Sequence, residues 1–166
     1  MRDRCSGLFH TAGHVTQDFT DMTDHSDPSR ADAILRRLRS EKGIIAMVGA
    51  SAKPERASYQ VMTFMQKAGI RVIPVNPGMT GETLLGETVV ARLADITLPV
   101  WMVDVFRPAE ACPPIAEEAI AIGATCLWLQ EGVISDDAAA MASGTGIEVV
   151  MDLCPKKLIE AANTSG

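Results

Sequence analysis

The sequence predicts an α/β domain: a single doubly wound, mostly parallel sheet with helices on both faces. Three observations carry that reading. Residues 43–76 run from an apolar segment through a small-residue turn and an amphipathic segment to a second apolar segment, the order of a βαβ unit. Beyond it, short apolar runs keep alternating with helical patterns, giving about five or six strands in all. Residues 100–106 are apolar throughout except for Asp104, as in a parallel strand covered on both sides.

In chain order, residues 1–26 are expected to be a poorly structured tail, polar and weakly periodic, with Met22 as a candidate start of translation. The tail holds all three histidines, His10, His14 and His25, but no fold positions them, so no metal site is predicted. Residues 27–166 form the domain. Asp27 or Ser29 caps a first helix that has Pro28 or Arg30 at its first position. That helix turns Ile34, Leu35 and Leu38 inward and Arg36, Arg37 and Arg39 to solvent. Residues 44–48 form the first strand and residues 58–68 a helix closed by Gly69. Residues 71–75 form the second strand, which ends in Asn76-Pro77-Gly78. A glycine-spaced loop is expected over residues 79–87, a short third strand over 88–90, and one helical turn over 93–96. After the strand at 100–106, a helix is expected over 108–122, with Pro113 and Pro114 near its start and Gly123 at its stop. Residues 125–129 form the next strand, Ser135 caps a helix running through Ala142, residues 147–151 form the last strand, and residues 155–161 a closing helix. Trp101 and Trp128 fall in strands and are expected in the core.

Composition narrows the function. At 166 residues, 47% hydrophobic and 22% charged, the chain suits one domain with a substantial core. A net charge of -6 disfavours nucleic acid, whose phosphates are met by basic surfaces, so any anion site must be local. Cys5, Cys112, Cys126 and Cys154 are far apart with no C-x-x-C pair, which predicts free thiols in a reducing compartment and no zinc site. The sequence has no apolar stretch long enough to span a membrane and no apolar signal segment. A cytoplasmic protein is expected.

In a doubly wound sheet the ligand lies beyond the carboxyl ends of the strands, where the strand order reverses. That rule selects residues 49–56, 76–78, 106–107 and 129–131, with Cys154-Pro155 after the last strand. Amides at a helix start favour an anion, and Gly49 lets a phosphate approach the main chain. Ser51 and Ser58 supply hydroxyls; Lys53 and Arg56 supply charge. The competing reading is an NAD(P)-dependent enzyme, or a nucleotide-binding subunit of a larger complex. Against a nicotinamide site, the turn has one glycine where the dinucleotide fingerprint needs three, and the second strand ends in Asn76-Pro77 where such a site carries an acid.

The segments VGAS-x-x-PERASYQV, VIPVNPG, LGE, VDVFRP, AIAIGA, WLQEGVIS and VMDLCPK, in this order, resemble the small stand-alone CoA-binding proteins with a Rossmann-type fold. More distantly they are similar to the CoA-binding domain of the succinyl-CoA synthetase alpha subunit. The resemblance covers residues 34–159. It implies coenzyme A or an acyl-CoA as ligand, with Gly49, Ala50, Ser51, Lys53, Arg56 and Ser58 near the nucleotide and phosphates. Val75, Asn76 and Pro77 would border it, and Phe106, Arg107, Leu129, Gln130 and Glu131 would line the neighbouring strand ends. Where the synthetase has a lysine after its TPG segment, this chain has Met79. It also has no histidine beyond His25, so ligase chemistry is not implied.

Cys154 lies before a helix start that favours thiolate, and under oxidation a nearby ligand thiol could form a mixed disulfide with it. Otherwise it is a small core residue. No nucleophile, base and orienting group are assembled anywhere in the sequence. The expectation is therefore a non-catalytic CoA-binding module, a carrier, sensor or regulatory unit, with room for a homo-oligomer or a protein partner.

Overall fold

The computed structural model describes residues 24–165. His10, His14, Met22 and Cys5 lie outside that range. The described elements are α1 (Pro28–Ser40), β1 (Ile45–Val48), α2 (Ala57–Lys67), β2 (Val72–Val75), β3 (Thr83–Leu84), β4 (Glu87–Thr88), β5 (Met102–Val105), α3 (Cys112–Ala121), β6 (Cys126–Leu129), α4 (Asp136–Ala142), β7 (Glu148–Val150) and α5 (Pro155–Ser165). Five strands form one sheet in the order β2-β1-β5-β6-β7. Every pairing in that sheet is parallel.

Alternate residues along each strand enter two separate cores, because side chains of a strand point to opposite faces. On one face α1, α2 and α5 cover Ile45, Met47, Met102, Cys126, Trp128 and Val150. On the other, α3 and α4 cover Ala46, Val103, Val105, Leu127, Leu129 and Val149. Asp27 caps α1, its carboxylate accepting from the Ser29 amide at 3.0 Å, and Pro28 follows in the first turn, where a missing N–H does no harm. Burial of Ile34, Leu35 and Leu38 then fixes the helix to the sheet, each side chain contributing about 1.5–3 kcal/mol.

Three local expectations change. The third strand expected at 88–90 is replaced by an antiparallel β3–β4 hairpin and a single parallel bridge between Val75 and Val90. The hairpin forms because Leu85 (φ 49°) and Gly86 (φ 85°) both take left-handed backbone, which a two-residue turn matched to strand twist requires. The helix expected over 108–122 opens as a 3₁₀ turn, Ala109–Ala111, and becomes α-helical only at Cys112. Pro113 and Pro114 lack the amides that an interior turn needs, so they can stand only in the first turn. Finally, His25, within the expected tail, is already seated: its carbonyl accepts from the Met151 amide at 2.9 Å, and its Nδ1–H donates to the Val149 carbonyl at 3.2 Å.

Val90 stands beside β2, so the sheet extends as Val90-β2-β1-β5-β6-β7, and strand order reverses at β1. The crevice selected by that reversal opens beyond the carboxyl ends of β1 and β5.

Candidate functional site

Gly49 follows β1 and Phe106-Arg107 follows β5, and the two corners touch. The Phe106 amide donates to the Val48 carbonyl at 2.8 Å. Gly49 has φ +89°, and a Cβ there would stand 2.8 Å from the Phe106 carbonyl oxygen and 3.3 Å from Arg107 Cδ. Only glycine accommodates both the backbone angle and that approach.

Two clefts open on either side of this contact. The first, about 410 Å³, is lined by Gly49, Val75, Asn76, Pro77 and Arg107, together with Ala91, Arg92, Leu93, Ala111, Ile115 and Glu118. The second, about 280 Å³, is lined by Phe106, Gln130, Glu131 and Cys154, together with Ala57, Gln60, Val61, Lys156 and Lys157. Of the residues singled out in the sequence, Gly49, Val75, Asn76, Pro77 and Arg107 fall to the first cleft and Phe106, Gln130, Glu131 and Cys154 to the second, while Ala50, Ser51, Lys53, Arg56, Ser58 and Leu129 line neither. The 91–93 segment, the α3 residues Ile115 and Glu118 and the α2 residues Ala57, Gln60 and Val61 went unpredicted at the site, whereas Lys156 and Lys157 extend the Cys154-Pro155 corner that the sequence selected. Only the position of Val90 beside β2 and the docking of α2 and α3 bring the unpredicted residues there.

The individual roles differ. Asn76 borders the first cleft, but its amide is engaged at both ends: Nδ2 donates to the Ala50 carbonyl at 2.8 Å, and Oδ1 accepts from the Gly78 amide at 2.8 Å. It pins the first turn to the second. The Gly49 amide donates to the Val75 carbonyl at 3.1 Å and the Ala50 amide to the same oxygen at 3.4 Å, so these two amides hold the turn. Ala50 is buried beneath it. Ser51 Oγ accepts from the Lys53 amide at 3.1 Å and shapes the loop. Arg56 occupies the N-cap of α2 with no side-chain cap bond, so α2 begins without a side chain covering its first amides. Ser58 is buried inside that first turn, and Leu129 is fully buried in the core under α3 and α4; neither lines a cleft. Among the described residues Lys53, Arg56 and Arg107 form no ion pair, and all three are exposed.

Around the second cleft the frame is tied from both sides. Trp128 Nε1–H donates to the Leu153 carbonyl at 2.8 Å, and the Gly132 amide donates to Asp152 Oδ1 at 2.7 Å. Lys157 pairs with Glu131 at 2.7 Å across the rim, an exposed bridge that solvent screens. Burial pushes the Cys154 thiol up, only partly offset by the amides of Lys157 and Lys156 at the start of α5. Burial and the helix start thus pull the Cys154 thiol in opposite directions, with burial the larger. Burial likewise raises Cys112 and Cys126. No group of described residues has the make-up of a metal site, and no helix among them is long and apolar enough to cross a membrane.

The model of the CoA binding domain family matches residues 44–160, from the start of β1 into α5. The chain belongs to the CoA-binding domain family. This CoA-binding domain is 38% identical over 130 residues to protein YneT of Bacillus subtilis (strain 168), a match covering 78% of the chain and 93% of YneT. A solved structure from Thermus thermophilus, cell-free ID.343, matches the CoA-binding domain with a TM-score of 0.74 at 36% identity, covering 78% of this chain and 97% of that one. A hypothetical protein from Pyrococcus horikoshii OT3 does so with a TM-score of 0.73 at 32% identity, covering 78% and 90%. Both clefts and every residue of the strand-end corner fall inside the matched segment.

Proposed function

We propose that the protein binds coenzyme A or an acyl-CoA at the corner where β1 and β5 end, with the nucleotide in the first cleft and the phosphates over residues 49–56. The observation that carries this reading is the contact of Gly49 with the Phe106 carbonyl, which leaves a cleft on each side of one glycine at the reversal point of the sheet. The ligand is charged at one end and neutral at the other. Arg107 and Arg92 on the first cleft, with Lys53 and Arg56 on the adjoining loop, suit its pyrophosphate and 3′-phosphate. The apolar walls of Leu93, Ile115 and Pro77 suit the base.

The protein acts without catalysis of its own, as a cytoplasmic carrier, sensor or regulatory module that works through a protein partner or a second copy. Supporting this, burial raises all three described thiols above the ordinary thiol range, which works against a thiolate nucleophile.

Thermal-shift titration against CoA, acetyl-CoA, NAD and NADP tests the reading. At a hundredfold excess over Kd a CoA species should stabilise the fold by about 2.7 kcal/mol, because it binds only the folded state. Stabilisation by NAD or NADP with none by CoA species would overturn the proposal.

A further inference from the structure

At the amino ends of β1 and β2, the far end of the sheet from both strand-end clefts, α1 and α2 stop on the two sides of a groove of about 860 Å³. Both helices close in the same way. In α2 the Gly69 amide donates to the Gln66 carbonyl at 3.0 Å and the Ile70 amide to the Met65 carbonyl at 2.9 Å. In α1 the Lys42 amide donates to the Arg39 carbonyl at 3.2 Å and the Gly43 amide to the Leu38 carbonyl at 2.8 Å. This ending needs one left-handed residue, which glycine supplies without strain. Gly69 (φ 84°) meets the need in α2, but in α1 the place is held by a lysine, Lys42, at φ 54°. The dipole of α1 favours a cation in its last turn, yet Arg37 and Arg39 already stand there. Strain of this kind persists where a side chain is used.

The groove gives that charge a setting. Its floor is apolar, from Leu38, Ile44, Ala68 and Ile70, and Arg39, Lys42 and Arg71 stand exposed around it. Arg71 pairs with Glu87 at 3.0 Å, whereas Arg39 and Lys42 have no ion pair among the described residues. In a chain of net charge -6 this is a local positive mouth over an apolar floor. It fits an acidic corner that carries an apolar side chain.

The chain has such a corner at the opposite end of the sheet. Residues 108–155 contain no lysine or arginine. Among them Ile134 is 55% exposed, the most exposed of the large hydrophobic side chains described. Asp136 and Asp137 follow in the first turn of α4, exposed and without ion pairs among the described residues. The corner is held in shape: the Val133 amide donates to the Gln130 carbonyl at 2.9 Å, the Asp152 amide to the Val133 carbonyl at 3.2 Å, and the Ala138 amide to Ser135 Oγ at 3.2 Å. We infer that this corner of one copy docks in the groove of a second copy, with Ile134 on the apolar floor and the two carboxylates against Arg39 and Lys42. Corner against corner, or groove against groove, would set like charges together, so each junction joins unlike surfaces. This names a surface for the second copy proposed above and is independent of which ligand the clefts take.

Sedimentation equilibrium of the full chain tests the junction. Association should grow with protein concentration and weaken with added salt. Arg39→Glu with Lys42→Glu, and separately Asp136→Lys with Asp137→Lys, should each self-associate about a hundredfold more weakly, because like charges then meet. Every contact between the two unlike variants pairs opposite charges, so an equimolar mixture should regain native association. Lys42→Gly relieves the left-handed backbone, so it should be at least as stable as the native chain yet associate more weakly, a loss that a lysine serving only the end of α1 would not produce. A native chain that stays monomeric at every concentration, or a mixture no more associated than its parts, overturns the inference. These variants should keep the native thermal shift with CoA, so a native chain that associates but does not respond to CoA overturns the ligand reading alone.

Discussion

Gly49 and Asp104 are the two residues whose replacement should be felt most, for opposite reasons. Gly49 is confined by backbone: its φ of +89° and the Phe106 carbonyl 2.8 Å from any added Cβ leave no room for a side chain. Gly49→Ala should destabilise the fold by about 1–3 kcal/mol and weaken CoA binding, seen as a lower denaturation midpoint and a lower calorimetric affinity. Asp104 is confined by solvation. Burial raises its carboxyl to about 7 from 3.8, against the downward pull of the Gln130 hydrogen bond. Between those values the unfolded chain is ionised while the folded chain keeps the proton. The stability this group contributes is therefore full below about pH 4 and lost as pH rises to about 7, a difference of a few kcal/mol at most. Chemical denaturation across pH 4.5 to 7.5 should show the stability gap between the native chain and Asp104→Asn shifting in favour of the variant as pH rises. A gap that stays constant would contradict a raised carboxyl.

At the scale of elements, stability is set by caps and buried faces more than by intrinsic preference. Asp27→Ala removes the side-chain acceptor for the Ser29 amide, and α1 has no acidic residue in its first turn to replace it. Loss of about 1 kcal/mol is expected, read as a fall in melting temperature. The elements legible in the sequence were those with strong periodicity or a capping residue: α1, the β1-α2-β2 unit, β5, and α4 behind Ser135, whose Oγ accepts from the Ala138 amide at 3.2 Å. The β3–β4 hairpin was not legible, because its turn uses Leu85-Gly86 in place of the Asn-Gly or Asp-Gly pair that announces such turns. Leu129 and Ser58 were attractive on chain position but face inward, Leu129 because neighbouring strand residues alternate between the two cores and Ser58 because it is buried in the first turn of α2. Gln130 and Asp104 show the reverse: two residues separated by 26 positions become hydrogen-bonded partners only once β5 and β6 lie side by side.

For the whole molecule, a doubly wound, mostly parallel sheet was implied by the repeated strand-helix alternation, and its order, β2-β1-β5-β6-β7, brings the loops after β1 and β5 together. What the alternation could not convey is how the outer edges are finished. On one side Val90 adds a single bridge to β2. On the other, His25 bonds along β7, and Arg30 donates to the Val149 carbonyl at 2.8 Å. Covering an edge in this way limits pairing with another chain. The two tryptophans end up in unlike surroundings. Trp101 donates to Glu41 at 3.0 Å and lies under the Arg37 guanidinium at 5.5 Å, far from either cleft lining. The Trp128 indole instead holds the Leu153 carbonyl, one peptide unit before Cys154. A fluorophore tethered to the wall of a recess registers what enters it, so with Trp101 replaced by phenylalanine the protein carries an intrinsic optical gauge of occupancy and needs no added dye.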